Sequence, residues 1–407
     1  MQTASSRRNI GFLILVASLG YFVDIYDLLL FLIIKNKSLA DIGVPVADIT
    51  KTGLFLMNWQ MAGLLAGGFL WGILGDKKGR LSVLFGSILM YSAANILNGF
   101  AYDVTSYAVL RFIAGVGLAG ELGAGITLVS ESMSKEKRGY GTMLVAGIGL
   151  SGAVAAYFVG DLFQWRTAFF VGGGLGILLL LLRVGVFESG MFRTMERQDV
   201  EKGNFFMLLR SRKRFFKYLN CILIAVPLWF VVGILVGIAP DFGKALNARD
   251  LLDSGKGVMF TYIGISLGDF LTGALSQMFK TRKKIVFVFL TLTFLAMLFY
   301  LFSNQLTATA FYILCVVFGI FTGYWAVFVT IASEQFGTNI RATVTTTVPN
   351  VVRGSLIPVT MLFQVLRGGF GIVNAALIVA CLTVALAYIA LYNLDETYGR
   401  DLDFVED

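Results

Sequence analysis

Two stretches of this chain recur about 200 residues apart, and that spacing constrains the fold more than anything else in the sequence. Gly72-Ile73-Leu74-Gly75-Asp76-Lys77-Lys78-Gly79-Arg80 closes one apolar run, and Gly273-Ala274-Leu275-Ser276-Gln277-Met278-Phe279-Lys280 closes another at an offset of 201. Gly67, Phe69 and Leu70 recur as Gly268, Phe270 and Leu271 at the same offset. Ser130-Glu131 and Arg138 recur as Ser333-Glu334 and Arg341, at an offset of 203. The period is too long for a stacked-repeat solenoid. It suits one duplicated membrane domain whose halves are related by an axis along the membrane normal.

The residues between these landmarks agree. Hydrophobic residues make up 57% of the chain and charged ones 14%, against about 25% charged in a typical soluble domain. Apolar runs such as 9–34, 215–239 and 285–302 are near or above the ~20 residues that cross a bilayer as helix. Twelve spans are expected, at 10–34, 52–74, 81–101, 104–132, 139–160, 166–187, 216–238, 256–279, 285–303, 306–333, 341–365 and 369–393. The expected fold is an all-α membrane protein with twelve transmembrane helices in two six-helix pseudo-repeats. Residues 1–187 form the first half, 188–215 a cytoplasmic linker, 216–394 the second half and 395–407 a cytoplasmic tail. The first apolar run is too long and too acidic for a cleavable signal peptide.

A net charge of +8 invites a nucleic-acid partner, but the cations sort by membrane side instead. With the N-terminus inside, 22 Lys and Arg fall on cytoplasmic segments, eight on outer ones, and Arg111, Arg183 and Arg353 within spans. This asymmetry places both termini in the cytoplasm of a multi-pass protein of the cell (inner) membrane. The chain has no histidine, so proton chemistry falls to Asp or Glu. Cys221, Cys315 and Cys381 all lie in apolar spans and read as small buried hydrophobes. No metal spacing, nucleotide-binding loop or nucleophile constellation is present, so neither a cofactor nor an enzymatic activity is expected.

Charged residues inside the spans are the candidates for function, because burying them in lipid is costly. Asp24 and Asp27 share one face of the first span, at i and i+3. Arg111 enters the fourth span from the other side, which brings it to a similar depth. A cluster of Asp24, Asp27 and Arg111 is therefore expected, with Glu121 further along the fourth span. In the second half, Asp269 and Arg353 fall near mid-membrane and are expected to pair. In a glycine-framed turn Asp76 can cap or face a helix N-terminus and the basic residues, Arg80 among them, can pair with Glu131, with Arg138 close by in sequence. Asp76, Arg80, Glu131, Arg138 and Asp269 are the candidate gating residues.

The Gly72-x-x-Gly75-Asp76-x-x-Gly79-Arg80 segment resembles the signature between spans two and three of the major facilitator superfamily. In the second copy Gln277 replaces the aspartate. Within that superfamily the chain looks like a metabolite:proton symporter. Asp24-Ile25-Tyr26-Asp27 is similar to that family's first-span motif, with isoleucine where the family has an aromatic residue. Arg111, Gly120 and Glu121 match the fourth span. Glu188-Ser189-Gly190-Met191-Phe192 resembles the end of the sixth span, and Asp395-Glu396-Thr397-Tyr398-Gly399-Arg400 a tail shared with sugar porters. The resemblance implies uptake of small carboxylates, amino acids or betaines with protons. It also places Trp229, Tyr324 and Trp325 at a central cavity.

These readings converge on a monomeric secondary transporter that carries a small-molecule substrate with H⁺ by rocking its halves. Asp24, Asp27 and Glu121 are the proton-coupling candidates. Arg111, Tyr26, Trp229, Tyr324, Trp325 and Arg353 are the substrate-binding ones. The expected mechanism is competition for Arg111: an anionic substrate takes the guanidinium, and the released aspartate takes a proton. The rivals are an uncoupled facilitator or exporter and, from another class, a non-transporting membrane sensor. The fifth span, Gly147-Ile148-Gly149-Leu150-Ser151-Gly152, lacks the Gly-Pro pair of drug antiporters, which weighs against export.

Overall fold

A computed structural model describes residues 4–78, 80–123, 125, 129, 133, 138–188, 208 and 210–399. Within these, side chains are described except at 4–10, 75–78, 80–81, 138–140, 142, 185–188, 338–339 and 342. The described regular elements are all helical. The first set comprises α1 (Ala4–Asp41), α2 (Ile49–Lys78), α3 (Arg80–Asn98), α4 (Val104–Leu118), α5 (Arg138–Leu150), α6 (Gly152–Leu162) and α7 (Trp165–Glu188). The second set comprises α8 (Arg212–Leu223), α9 (Val226–Phe230), α10 (Ala239–Ala245), α11 (Ser254–Met278), α12 (Lys283–Leu301), α13 (Ala308–Thr322), α14 (Trp325–Glu334), α15 (Thr338–Gly354), α16 (Leu356–Phe370) and α17 (Ile372–Asn393).

Among the described residues, nine helical stretches are long and apolar enough to cross a bilayer. The three further expected spans correspond to α3, to α4 with its partly described continuation, and to α15 with α16. The last of these is poor in apolar side chains over α15, where threonine recurs. Large apolar residues such as Leu89, Leu178, Phe287, Phe299 and Ile389 lie exposed on the outside, while charged groups lie within. That inversion suits a lipid environment. Cys381 also lies on the exposed face of α17, a correction to the expectation that all three cysteines are buried.

Among the described residues the fourth expected span turns at Ala119–Gly120, and four others are also interrupted. The fifth breaks at Ser151, whose hydroxyl donates back to the carbonyl of Ile148 at 2.6 Å. In the seventh, Pro227 has no N–H for the carbonyl of Leu223, and a widened π turn follows over Val231–Val236. The tenth stops at Gly323 and restarts at Trp325, and the eleventh stops at Gly354 and restarts at Leu356. The eleventh also runs on to Phe370, beyond its expected end.

The repeat reappears as a packing solution. Gly63 and Gly67 of α2 press on α4, and Gly264 and Gly268 of α11, displaced by 201 residues, press on α13. A β-carbon on Gly319 would stand 2.6 Å from the α-carbon of Gly264, so the backbones touch.

Candidate functional site

A small cavity lies between the two sets of helices. Tyr21, Trp229, Tyr262 and Trp325 give it aromatic walls, Ile25, Leu150, Leu228 and Ile265 fill in aliphatic surface, and Arg353 supplies a charge. Contacts between the sets close it in both directions. Towards one end of the bundle, Asn350 donates to the carbonyl of Ala119 at 2.8 Å, and Ser266 to that of Gly147 at 3.0 Å. Towards the other, Lys35 donates to the carbonyl of Gly237, and Thr360 to Asn58 at 2.9 Å. These contacts leave a narrow compartment between the two sets.

Arg353 faces Asp24 across the two sets, with Nη2 3.5 Å from Oδ2. Both side chains are buried, and Arg353 Nε and Nη1 and Asp24 Oδ1 have no other hydrogen-bond partner. The guanidinium lies 5.8 Å from the ring centre of Trp325. This corrects the expected pairing of Arg353 with Asp269. Asp269 Oδ1 instead accepts the backbone N–H of Ala326 at 2.9 Å. The interruption at Gly323–Tyr324 creates a helix start at mid-bundle, and its free N–H groups need an acceptor. Sequence periodicity showed two charges at one depth and missed the break that gives one of them a different partner.

The expected cluster of Asp24, Asp27 and Arg111 is likewise divided. Arg111 Nη2 donates to Asn95 at 2.7 Å and Nε to Asn98 at 3.2 Å, and its guanidinium lies 4.8 Å from the ring centre of Phe169. Asp27 lies within the field of Arg111 and beside Asn95, and among the described residues neither carboxylate oxygen makes a well-formed hydrogen bond. Arg111 and Asp27 are absent from the cavity lining. Asn95 and Asn98 escaped the sequence reading, although two amides at i and i+3 in an apolar span were the available signal. Tyr26 and Tyr324 donate to the carbonyls of Ala168 at 2.9 Å and Ile224 at 3.1 Å and do not line the cavity. Trp229 and Trp325 do face the cavity, each with an unpartnered indole N–H. Glu121 forms a two-point ion pair with Arg183, one contact being 3.0 Å.

Of the gating candidates, Glu131 lies outside the described residues, as do the side chains of Asp76, Arg80 and Arg138. The second copy of that region is described. Arg282 grips Glu334 through contacts of 2.7 and 3.0 Å and reaches Ser276 at 3.2 Å. Arg341 donates to the carbonyl of Ser333 at 3.0 Å. Glu396, after α17, accepts from Thr281 at 2.6 Å and from the N–H of Arg282 at 2.9 Å. Partial burial raises the proton affinity of Glu396, but these donors prevail and hold the carboxyl below its usual range.

The family model for the Major Facilitator Superfamily matches residues 10–355. A Haemophilus influenzae relative, whose name ascribes metabolite transport to it, is 27% identical over 95% of this chain and 96% of its own. The niacin transporter NiaP of Acinetobacter baylyi is 32% identical over 44% of this chain and 40% of its own. The 3-(3-hydroxy-phenyl)propionate transporter of Escherichia coli is 33% identical over 33% of this chain and 36% of its own. The chain thus spans less than half the length of these two relatives.

Proposed function

Because this chain belongs to the Major Facilitator Superfamily, we propose that it moves a small organic anion together with a proton across the cell (inner) membrane. The observation that carries this reading is the buried Asp24–Arg353 pair at the cavity wall. At 3.5 Å it is a long contact, and Arg353 keeps two donor nitrogens unused. A substrate carboxylate entering the cavity can take Nη2 from Asp24 together with Nε or Nη1, the two-point geometry a guanidinium favours. Asp24 then loses its counter-charge in a dry setting and takes a proton that reaches it by way of Asp27, one turn further along α1. The loaded site is closer to neutral, and a tie between the two sets has been exchanged for one to the substrate.

The anion anchor in this reading is Arg353, because Arg111 is held by two asparagines away from the cavity. The names of the niacin and hydroxyphenylpropionate relatives favour a ring-bearing carboxylate. The aromatic walls suit such a ring. Residues 1–187 and 216–394 act as rocking halves joined through 188–215, with the termini inside as the charge asymmetry favours.

The test is uptake by proteoliposomes of the full chain, offered nicotinate, benzoate and 3-(3-hydroxyphenyl)propionate. An imposed inward proton gradient is expected to drive accumulation of at least one of them. Equilibration at the same rate with and without the gradient would identify an uncoupled facilitator instead.

A further inference from the structure

Six buried polar atoms without partners gather away from the cavity, between α1, α3, α4 and α7. They are both carboxylate oxygens of Asp27, the hydroxyls of Tyr91 and Ser92, the amide nitrogen of Asn95 and Nη1 of Arg111. Donors and acceptors are both present, which is the setting that holds ordered water.

The cluster continues along the helices as a seam. On α7, Gly172, Gly176 and Arg183 fall along one face, at i, i+4 and i+11. A β-carbon on Gly172 would stand 2.8 Å from the ring of Tyr26 and crowd Asp27, and one on Gly176 would stand 2.9 Å from the ring of Tyr91 and crowd Ser92. On α1, a β-carbon on Gly20 would stand 3.1 Å from the carboxyl carbon of Glu121. Bare backbone therefore abuts the polar groups at each level. Asp27 and Gly20 are separated by seven residues, or ~10 Å of helix. A proton hop covers only about 3 Å, so Asp27 and Glu121 cannot exchange a proton directly. Tyr91 lies between them, within the fields of Glu121, Asp27, Arg183 and Asp24.

We propose that ordered water fills this seam and that Tyr91 relays the coupling proton between Asp27 and the Glu121–Arg183 pair, so that proton and substrate travel by separate routes. The relay rests on the proton-coupled reading above. On release, the Asp27 O–H bond breaks and its proton passes to a water held by the Ser92 hydroxyl. That water passes a proton to the Tyr91 oxygen, and the proton Tyr91 already carried passes through a second water to the Glu121 carboxylate, which ends as the acid beside Arg183. Each oxygen gives up a proton as it gains one, so Tyr91 ends neutral and Asp27 ends as carboxylate. The other groups facing the route are Asp24 and Tyr26 from α1, Arg111 from α4 and Arg183 from α7.

Time-resolved infrared difference spectroscopy after a pH jump tests this on the full chain, without a substrate. The Asp27 carboxyl signal is identified by its loss in Asp27→Asn. Tyr91→Phe removes a hydroxyl with no protein partner and keeps the ring, and Ser92→Ala is a second, milder variant. The relay predicts that the Asp27 signal keeps its amplitude while its relaxation slows at least ~10-fold in Tyr91→Phe and ~3-fold in Ser92→Ala. A purely packing role would leave the rate alone. A wild-type rate in either folded variant overturns the relay and spares the coupling reading. Absence of any Asp27 signal in the wild type overturns both.

Discussion

Asp27 and Asp269 are both fully buried aspartates in long helices, one in each set, and they differ at one oxygen: among the described residues both oxygens of Asp27 and Oδ2 of Asp269 lack a partner, while Oδ1 of Asp269 has one. Asp269 answers a structural need: its Oδ1 takes the N–H of Ala326 where α14 begins. Asp27 answers none, since both of its oxygens lack a partner. A backbone donor offsets part of the cost of burying an acid and ties it to the fold. An acid left without donors is costly as an anion, and a proton relieves that cost. Burial alone therefore does not mark a proton carrier; burial without a donor does. The same contrast separates Asp24, whose only contact is the long one to Arg353, from Glu334, which is gripped at two points by Arg282.

The largest effect that can break this contrast is on coupling. Asp27→Asn is expected to reduce gradient-driven accumulation ~100-fold or more, while substrate counterflow stays within about 3-fold of wild type. Asp269→Asn retains an acceptor for Ala326, so accumulation should change by no more than about 3-fold. Matched uptake and counterflow assays measure both. Equal losses in the two variants would show that any buried acid matters alike.

A smaller effect sharpens the division between the cavity and the seam. Arg353→Lys keeps the charge and loses the fork, so affinity for a carboxylate substrate should weaken ~10- to 100-fold. Arg111→Lys leaves the cavity wall unchanged, and affinity should shift by less than about 3-fold. Isothermal titration with the best substrate from the uptake panel distinguishes them. A larger loss at Arg111 would return the anchor to the first set.

Bracing itself has a modest energetic signature. Asp269→Ala strips the acceptor from the start of α14 and should cost about 1 kcal/mol, as loss of a helix cap does. Thermal unfolding in detergent should show this as a lowered midpoint, with coupling retained. Unchanged stability would mean that the Ala326 N–H is satisfied some other way.

The bundle and its duplication were legible because they are written in long-period patterns: apolar runs, glycine positions and the distribution of cations. The depth of each charged residue was legible for the same reason, since helix rise is uniform. What escaped was the choice of partner. Asp24 pairs with a residue 329 positions away, across a contact that exists only once the two sets close. Asp269 lost its expected partner to a helix break that Gly323 and Tyr324 do not announce by composition. The unpartnered hydroxyls of Tyr91 and Ser92 had no signal at all, because serine and tyrosine in a span most often pack or bond to their own helix.

The smallest effect concerns Glu396, an acid with more donors than any discussed above. Thr281 and the backbone N–H groups of Arg282, Lys283, Thr397 and Tyr398 all converge on its carboxylate. Its proton affinity is lowered in the folded protein, so its contribution to holding the segment after α17 is present at neutral pH. That contribution is lost as pH falls below the ordinary glutamate range, near 4.5, and through the lowered folded value. The site is exposed to solvent, so the contribution is screened to under about 1 kcal/mol. Glu396→Gln keeps an acceptor but loses the charge, and should abolish this acid-dependent step while leaving uptake at neutral pH unchanged. A spin label at Tyr398, replaced by cysteine in a chain lacking Cys221, Cys315 and Cys381, reports docking as restricted motion. Released motion below pH 4.5 in the Glu396 protein but not in the Gln variant is the expected result. Identical titrations would show that the segment is held by the carbonyl contacts of Lys283 to Tyr392 and Leu394 rather than by the acid.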